Sequence, residues 1–291
     1  MPPPAPAAAA AERTRLGVLG WPVAHSRSPA MMGAAFAALA MDGWRYQRLP
    51  VPPHLFDETV RALAGGGLLG ANVTIPHKQA ALALATDATP TARAIGAANT
   101  LTFRADGAIE AENTDAPGLI AAIERGGLAS PAGRSALVLG AGGSARAAVW
   151  ALREAGAAEV AVWNRTPARA RELARELDVR FVASPEPAEL LVNCTSVGLG
   201  TENLIEQSSG EQTVLSQLGL TFDGIGEYSH VIDLVYRTEP TPLLAAAEAQ
   251  GAGTVDGLEI LLAQGALSFE LWTGRAAPLA AMRAAVREAG A

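Results

Sequence analysis

Ser135-Ala136-Leu137-Val138-Leu139-Gly140-Ala141-Gly142-Gly143-Ser144-Ala145 is the stretch on which the fold turns. The apolar run Ser135–Leu139 reads as a buried strand, and small residues from Ser144 to Ala155 read as a helix packed closely on a sheet. Between them Gly140, Ala141, Gly142, Gly143, Ser144 and Ala145 match the pattern G-x-G-x-x-A. The first glycine permits a tight turn, the second lets backbone N–H groups approach a pyrophosphate, and the small sixth residue allows close helix–strand packing. The positive end of the helix would face the phosphates. Strand, glycine turn and helix together predict a Rossmann-type dinucleotide unit running to about Thr166.

The next predicted strand, Glu159–Trp163, ends at Asn164-Arg165-Thr166. NAD sites place an acid here to hold the ribose 2′-hydroxyl. That acid is missing, and Arg165 offers a guanidinium suited to a 2′-phosphate. The plain alternative is a solvated strand-end charge beside a Thr166 N-cap. The absent carboxylate favours NADP(H).

Outward from this core the chain alternates short apolar runs with helical stretches, the signature of α/β architecture with mainly parallel sheets. Upstream, strands are predicted at Thr14–Gly20, Trp44–Val51 and Leu68–Ile75, with a hairpin from Ala97–Phe103 and Ala108–Glu112 around Asp106-Gly107. Helices are predicted from Ser28 (as N-cap, with Pro29 following) to about Ala40, over Pro53–Ala64, and from Pro76. Downstream, helices cover Pro117–Arg125, Pro167–Leu177, Pro242–Gln250, Leu258–Trp272 and Leu279–Ala289. Strands cover Leu190–Cys194 and Val231–Tyr236, and the polar segment Gly200–Gly226 reads as a long loop with a helical turn or more. Two domains follow, meeting near Asn113–Asp115: a substrate domain over residues 12–114 plus 251–291, and a Rossmann domain over 115–250. Met1–Ala11 reads as a disordered tail and not as a signal peptide.

Composition narrows the function classes. The 291 residues are 49% hydrophobic and carry a formal net charge of −7, which gives no reason to expect nucleic acid or an anionic membrane. No apolar stretch approaches the ~20 residues of a membrane span. The one cysteine, Cys194, rules out an intrachain disulfide and points to a cytoplasmic setting. Lying in an apolar run, it reads as core and not as a nucleophile. No metal site is expected.

Polar residues gather at strand ends of the first domain. Ser26 and Ser28 lie on the first strand-to-helix loop. Asn72 and Thr74 share a strand face, and Lys78 sits in the next helix's first turn, an unfavourable place for a cation. Asn99, Thr100 and Asp115 follow at further strand ends. Pairing of these strands in one sheet would let them converge on one cleft.

These segments, with NCTSVG, DLVY, TPLL and GLEILLAQ, occur in an order that resembles the shikimate dehydrogenase family from about Thr14 to Trp272. The resemblance implies NADPH-dependent reduction of 3-dehydroshikimate to shikimate, with shikimate and 3-dehydroshikimate as the small-molecule partners and a homodimer as an open option. It implies Lys78 and Asp115 as the catalytic pair. Substrate contacts would come from Ser26, Ser28, Thr74, Asn99, Tyr236 and Gln264, with Asn72 and Thr100 beside them. Cofactor contacts would come from Gly140–Ser144, Asn164–Thr166, Thr195, Ser196, Val197, Leu234 and Gly257. Ala116-Pro117 stands where the family commonly has glycine, and should stiffen the turn after Asp115. Competing readings are a quinate/shikimate dehydrogenase using NAD more readily, a folate-type methylene dehydrogenase, and a ligand-sensing module that has lost catalysis.

Overall fold

The computed structural model describes residues 14–199 and 209–289, so the expected N-terminal tail and the first part of the expected 200–226 loop lie outside the described residues. The first sheet contains β1 (Thr14–Gly20), β2 (Trp44–Pro50), β3 (Gly70–Val73), β4 (Asp87–Ala88), β5 (Thr100–Phe103) and β6 (Ile109–Glu112), in the spatial order β2-β1-β3-β5-β6-β4. β1 runs parallel to β2 and β3, whereas β3–β5 and β5–β6 are antiparallel. Gly107 takes φ +86° in the hairpin turn, a backbone that glycine adopts without Cβ strain. Helices α1 (Ser28–Ala38), α2 (Phe56–Gly65), α3 (Lys78–Leu84) and α4 (Pro90–Ile95) connect these strands, and α5 (Asp115–Arg125) leads into the second half.

The second sheet is wholly parallel. It contains β7 (Ser135–Leu139), β8 (Glu159–Trp163), β9 (Arg180–Phe181), β10 (Leu190–Asn193), β11 (His230–Asp233) and β12 (Gly253–Val255), ordered β12-β11-β10-β7-β8-β9. That is the doubly wound order, whose direction of winding reverses between β7 and β10 and opens a crevice at their carboxyl ends. Strand alternation serves both faces. Ala136 and Val138 pack into one buried layer with α6 (Gly143–Glu154) and α7 (Pro167–Glu176). Leu137 and Leu139 pack into the other, with α8 (Ser209–Gln217), α9 (Phe222–Ile225) and α10 (Pro242–Ala249).

The chain then returns to the first sheet. α11 (Gly257–Thr273) and α12 (Leu279–Glu288) bury Leu262, Phe269, Trp272, Met282 and Val286 with Leu16 and with Met31, Met32 and Phe36 of α1. Asp256 starts α11 by accepting from the Glu259 N–H (2.9 Å), and Gly274 ends it at φ +65°. No helix among the described residues is long and apolar enough to cross a membrane.

The structure departs from the sequence reading in several places. Ser28 is the first helical residue and not the cap, since Arg27 occupies the N-cap without a side-chain bond, and the Ser28 N–H donates to Ser26 Oγ (3.3 Å). Pro76 does not open α3. The His77 N–H donates to Thr74 O in a turn (2.9 Å), so the helix begins at Lys78. Pro117 lies inside the first turn of α5, where its missing N–H costs nothing, so Ala116-Pro117 belongs to the helix and stiffens no turn after Asp115. Thr166 holds the N-cap position of α7 but makes no side-chain cap bond. β11 stops at Asp233, leaving Leu234 and Tyr236 on a loop, and β12 extends the second sheet beyond Gln250. The described part of the 200–226 segment, from residue 209, contains α8 and α9.

Candidate active site

Carboxyl ends of strands from both sheets face one cleft. A cavity of ≈ 140 Å³ is lined from the first sheet's side by Ser26, Ser28, Asn72, Thr74, Lys78 and Asn99, and from the far side by Leu234, Tyr236, Gly257 and Gln264. A second cavity of ≈ 560 Å³ is lined by Gly140–Ser144, Asn164–Thr166 and Thr195–Val197. Ile75, Lys78, Ser144, Cys194, Thr195 and Ser196 line both, so the two cavities meet at Lys78.

At that junction Lys78 Nζ donates to Asp115 Oδ2 (2.6 Å) and to Ser144 Oγ (2.9 Å). The Lys78 and Asp115 side chains are 11% and 15% exposed, so the pair is shielded but reachable. The other carboxylate oxygen, Oδ1, accepts from Asn99 Nδ2 (2.9 Å), which fixes the carboxylate from behind. Asn99 Nδ2 also reaches Thr114 Oγ1 (2.9 Å) and Gln264 Oε1 (3.2 Å), tying β5, α5 and α11 together at one amide. An ion pair with each member held by further hydrogen bonds is suited to moving a proton at a defined point.

At the opposite end of the smaller cavity lies a cluster of hydroxyls. Ser28 lies beside the Tyr46 hydroxyl, which donates to Asn72 Oδ1 (2.7 Å). Ser26 lies beside Tyr236, whose ring is overlaid by the Arg27 guanidinium at 5.8 Å. Burial raises the pKa of both tyrosines, so both stay neutral donors. Arg48 donates through Nη2 to the Ser26 carbonyl (2.7 Å), and burial together with this cation lowers the pKa of His25.

Two residues from the polar set play a different part from the one their position suggests. Thr100 is 1% exposed and lies behind the cleft wall, hydrogen-bonded to Ser268 Oγ (2.9 Å). Asn72 borders the cavity, but its Nδ2 is spent on Asn99 O, Thr100 Oγ1 and Ser268 Oγ. Ser268, fully buried on α11, is a hub that sequence reasoning missed. Its signal was present, since it stands four residues beyond Gln264 as a second polar break in an apolar helix face. Tyr46, reaching in from β2, was also missed, as was Arg27, which lies between the two serines and sends its guanidinium to Val286 O (3.0 Å) and over the Tyr236 ring.

The larger cavity has the chemistry of a dinucleotide site. Gly140 takes φ +113°, and a Cβ there would lie 3.2 Å from Cys194 C and O, so the turn needs glycine twice over. α6 starts at Gly143 and presents its N-terminal N–H groups to this cavity. Arg165 and Arg169 are exposed at its rim, the latter a second guanidinium one helical turn away. Asn193 braces the floor: its Nδ2 donates to Asp233 Oδ1 (2.8 Å), and its Oδ1 accepts from Thr195 N (3.0 Å) and Thr195 Oγ1 (2.8 Å). Burial pushes the Cys194 thiol well up, so it stays protonated and is a poor nucleophile.

Comparison with known proteins is consistent along the chain. Residues 18–101 match the family model "Shikimate dehydrogenase substrate binding domain". Residues 125–197 match "Shikimate / quinate 5-dehydrogenase", and 257–287 match "Shikimate 5'-dehydrogenase C-terminal domain". The chain is 44% identical to the shikimate dehydrogenase (NADP(+)) of Methylobacterium radiotolerans, over 89% of this chain and 91% of that one. It is 42% identical to that of Symbiobacterium thermophilum, over 93% and 92%. Among solved structures, shikimate 5-dehydrogenase of Thermus thermophilus in complex with NADP(H) and shikimate superposes with a TM-score of 0.82 at 40% identity, covering 95% of this chain and 99% of that one.

Proposed function

The chain belongs to the shikimate dehydrogenase family, and from that premise we propose how its residues carry out the reversible, NADP-dependent reduction of 3-dehydroshikimate to shikimate in aromatic amino-acid biosynthesis. The observation that carries the reading is the Lys78–Asp115 pair, standing where the two cavities meet.

Bound NADPH supplies the hydride that reduces the ring ketone. Lys78 delivers a proton to the developing alkoxide and stabilises its charge, and in the reverse direction it takes that proton back. Asp115 holds the ammonium and accepts from a ring hydroxyl. Asn99, Thr74 and Gln264 bind further ring hydroxyls, while Asn72 and Thr100 keep Asn99 in place from behind. Ser26 and Ser28 bind the substrate carboxylate with Tyr236 closing from the far side, a neutral hydroxyl clamp that buries no extra charge.

On the cofactor side, Gly140–Ser144 cradle the pyrophosphate against the start of α6, and Arg165 with Asn164 and Thr166 holds the 2′-phosphate. Thr195–Val197, Leu234 and Gly257 line the path to the substrate. The first sheet with α11 and α12 forms the substrate unit, and the second sheet forms the cofactor unit.

Lys78→Ala tests this assignment. Loss of a positioned general acid lowers kcat by about 10²–10⁴-fold. Shikimate affinity, measured calorimetrically, should change little, because the hydroxyl clamp is untouched. A purified variant keeping a tenth of the wild-type kcat would remove Lys78 from the role.

A further inference from the structure

Lys78 is held from both sides of the cleft. Asp115 belongs to the helix that follows the first sheet, whereas Ser144 is carried in the first turn of α6, directly after the glycine turn of the second. We propose that Ser144 is a positioning residue for Lys78, its hydroxyl fixing the ammonium so that one N–H is left for the substrate oxygen. The proposal rests on the acid–base role assigned to Lys78 above.

An ammonium has three N–H groups on a flexible four-carbon stem. An ion pair to a single oxygen leaves Nζ free to pivot about the N···O line. The second bond, to Ser144 Oγ at 2.9 Å, removes that freedom and commits two of the three donors. The third is left for an oxygen in the cavity that Lys78 lines.

The stem is seated independently of the hydroxyl. A Cβ on Gly143 would lie 2.6 Å from Lys78 Cβ and 3.1 Å from Lys78 Cδ, so the lysine lies across a surface that only glycine leaves open. Gly143 opens α6, and its φ is not positive; what requires glycine there is the approach of the lysine. The Ser144 hydroxyl is thus committed to Lys78, while its backbone N–H, in the first turn of α6, remains available to a phosphate. The loop that receives the cofactor also aims the acid.

The test compares Ser144→Ala and Ser144→Thr with wild type. In Ser144→Ala, kcat should fall about tenfold. KM for shikimate and the Kd for NADPH, read by its fluorescence, should stay within about twofold. Ser144→Thr keeps the hydroxyl and should recover at least half of the loss. In the protein without cofactor, labelling of Lys78 by acetic anhydride, followed by mass spectrometry, should speed up several-fold in Ser144→Ala and not in Ser144→Thr. Wild-type kcat in Ser144→Ala, or a loss confined to NADPH affinity, overturns the proposal, as does unchanged Lys78 labelling. The labelling needs no turnover, so it separates failure of the contact from failure of the assigned reaction.

Discussion

Two single residues carry predictions, Arg165 for cofactor choice and Asp233 for pH response. Arg165 stands at the rim of the larger cavity, where a carboxylate would select a free ribose hydroxyl. A charge-assisted bond to phosphate contributes on the order of 1.5–3 kcal/mol. Arg165→Gln should therefore raise KM for NADP by about tenfold or more while leaving KM for NAD nearly unchanged; parallel rises for both would mean that the residue does not read the 2′-phosphate. Asp233 is buried, and desolvation pushes its carboxyl up to about 6, although Thr241, the Val235 N–H and Asn193 all donate to it. The folded protein thus holds this proton more tightly than the unfolded chain. That contribution to stability is fully present below about pH 4 and is lost as pH rises through about 6. In Asp233→Asn the side chain stays neutral, so denaturation at pH 5 and pH 8 should show a pH penalty smaller than wild type by on the order of 1 kcal/mol. Equal pH slopes in the two proteins would show that Asp233 ionises freely.

Between elements, the crossing of α5 and α11 holds Asp115 and Gln264 in register. A Cβ on Gly118 would lie 2.9 Å from Gln264 N and 2.9 Å from Gln264 Cβ, so backbone meets backbone there and neither can give easily. Gly118→Ala should cost about 1–3 kcal/mol of stability by prying these helices apart. It should also raise KM for shikimate, because Gln264 and Asp115 sit on the two displaced helices; an unchanged melting temperature would show the crossing to be slack. Local chemistry is why β7, the glycine turn and α6 were legible in the sequence: strand, φ > 0 glycine and helix start are each specified by neighbouring residues. The positions of Lys78, Asp115 and Asn99 next to strand ends were legible for the same reason, and that of Gln264 as a polar break in an apolar helix. The two- and three-residue strands β4, β9 and β12 have no pattern of their own and exist only through pairing with β6, β8 and β11. Thr100 and Asn72 were read as facing a ligand because both are polar and at strand ends, yet Ser268, reaching in from α11, claims both.

Over the whole molecule, two sheets with different strand patterns turn the carboxyl ends of their strands toward one cleft, and the C-terminal helices return to brace the first sheet. The net charge of −7 says little about ligands, because Arg165 and Arg169 stand exposed at the larger cavity while the ammonium of Lys78 stands where the two cavities meet. The reaction runs both ways, oxidising shikimate with NADP and reducing 3-dehydroshikimate with NADPH. Absorbance at 340 nm, with shikimate or quinate each offered NADP or NAD, gives four initial rates that test it directly. Shikimate with NADP should give the fastest rate, with the NAD reactions slower by at least the factor lost in Arg165→Gln. No NADP reduction with shikimate, or a faster rate for quinate with NAD, would contradict the account.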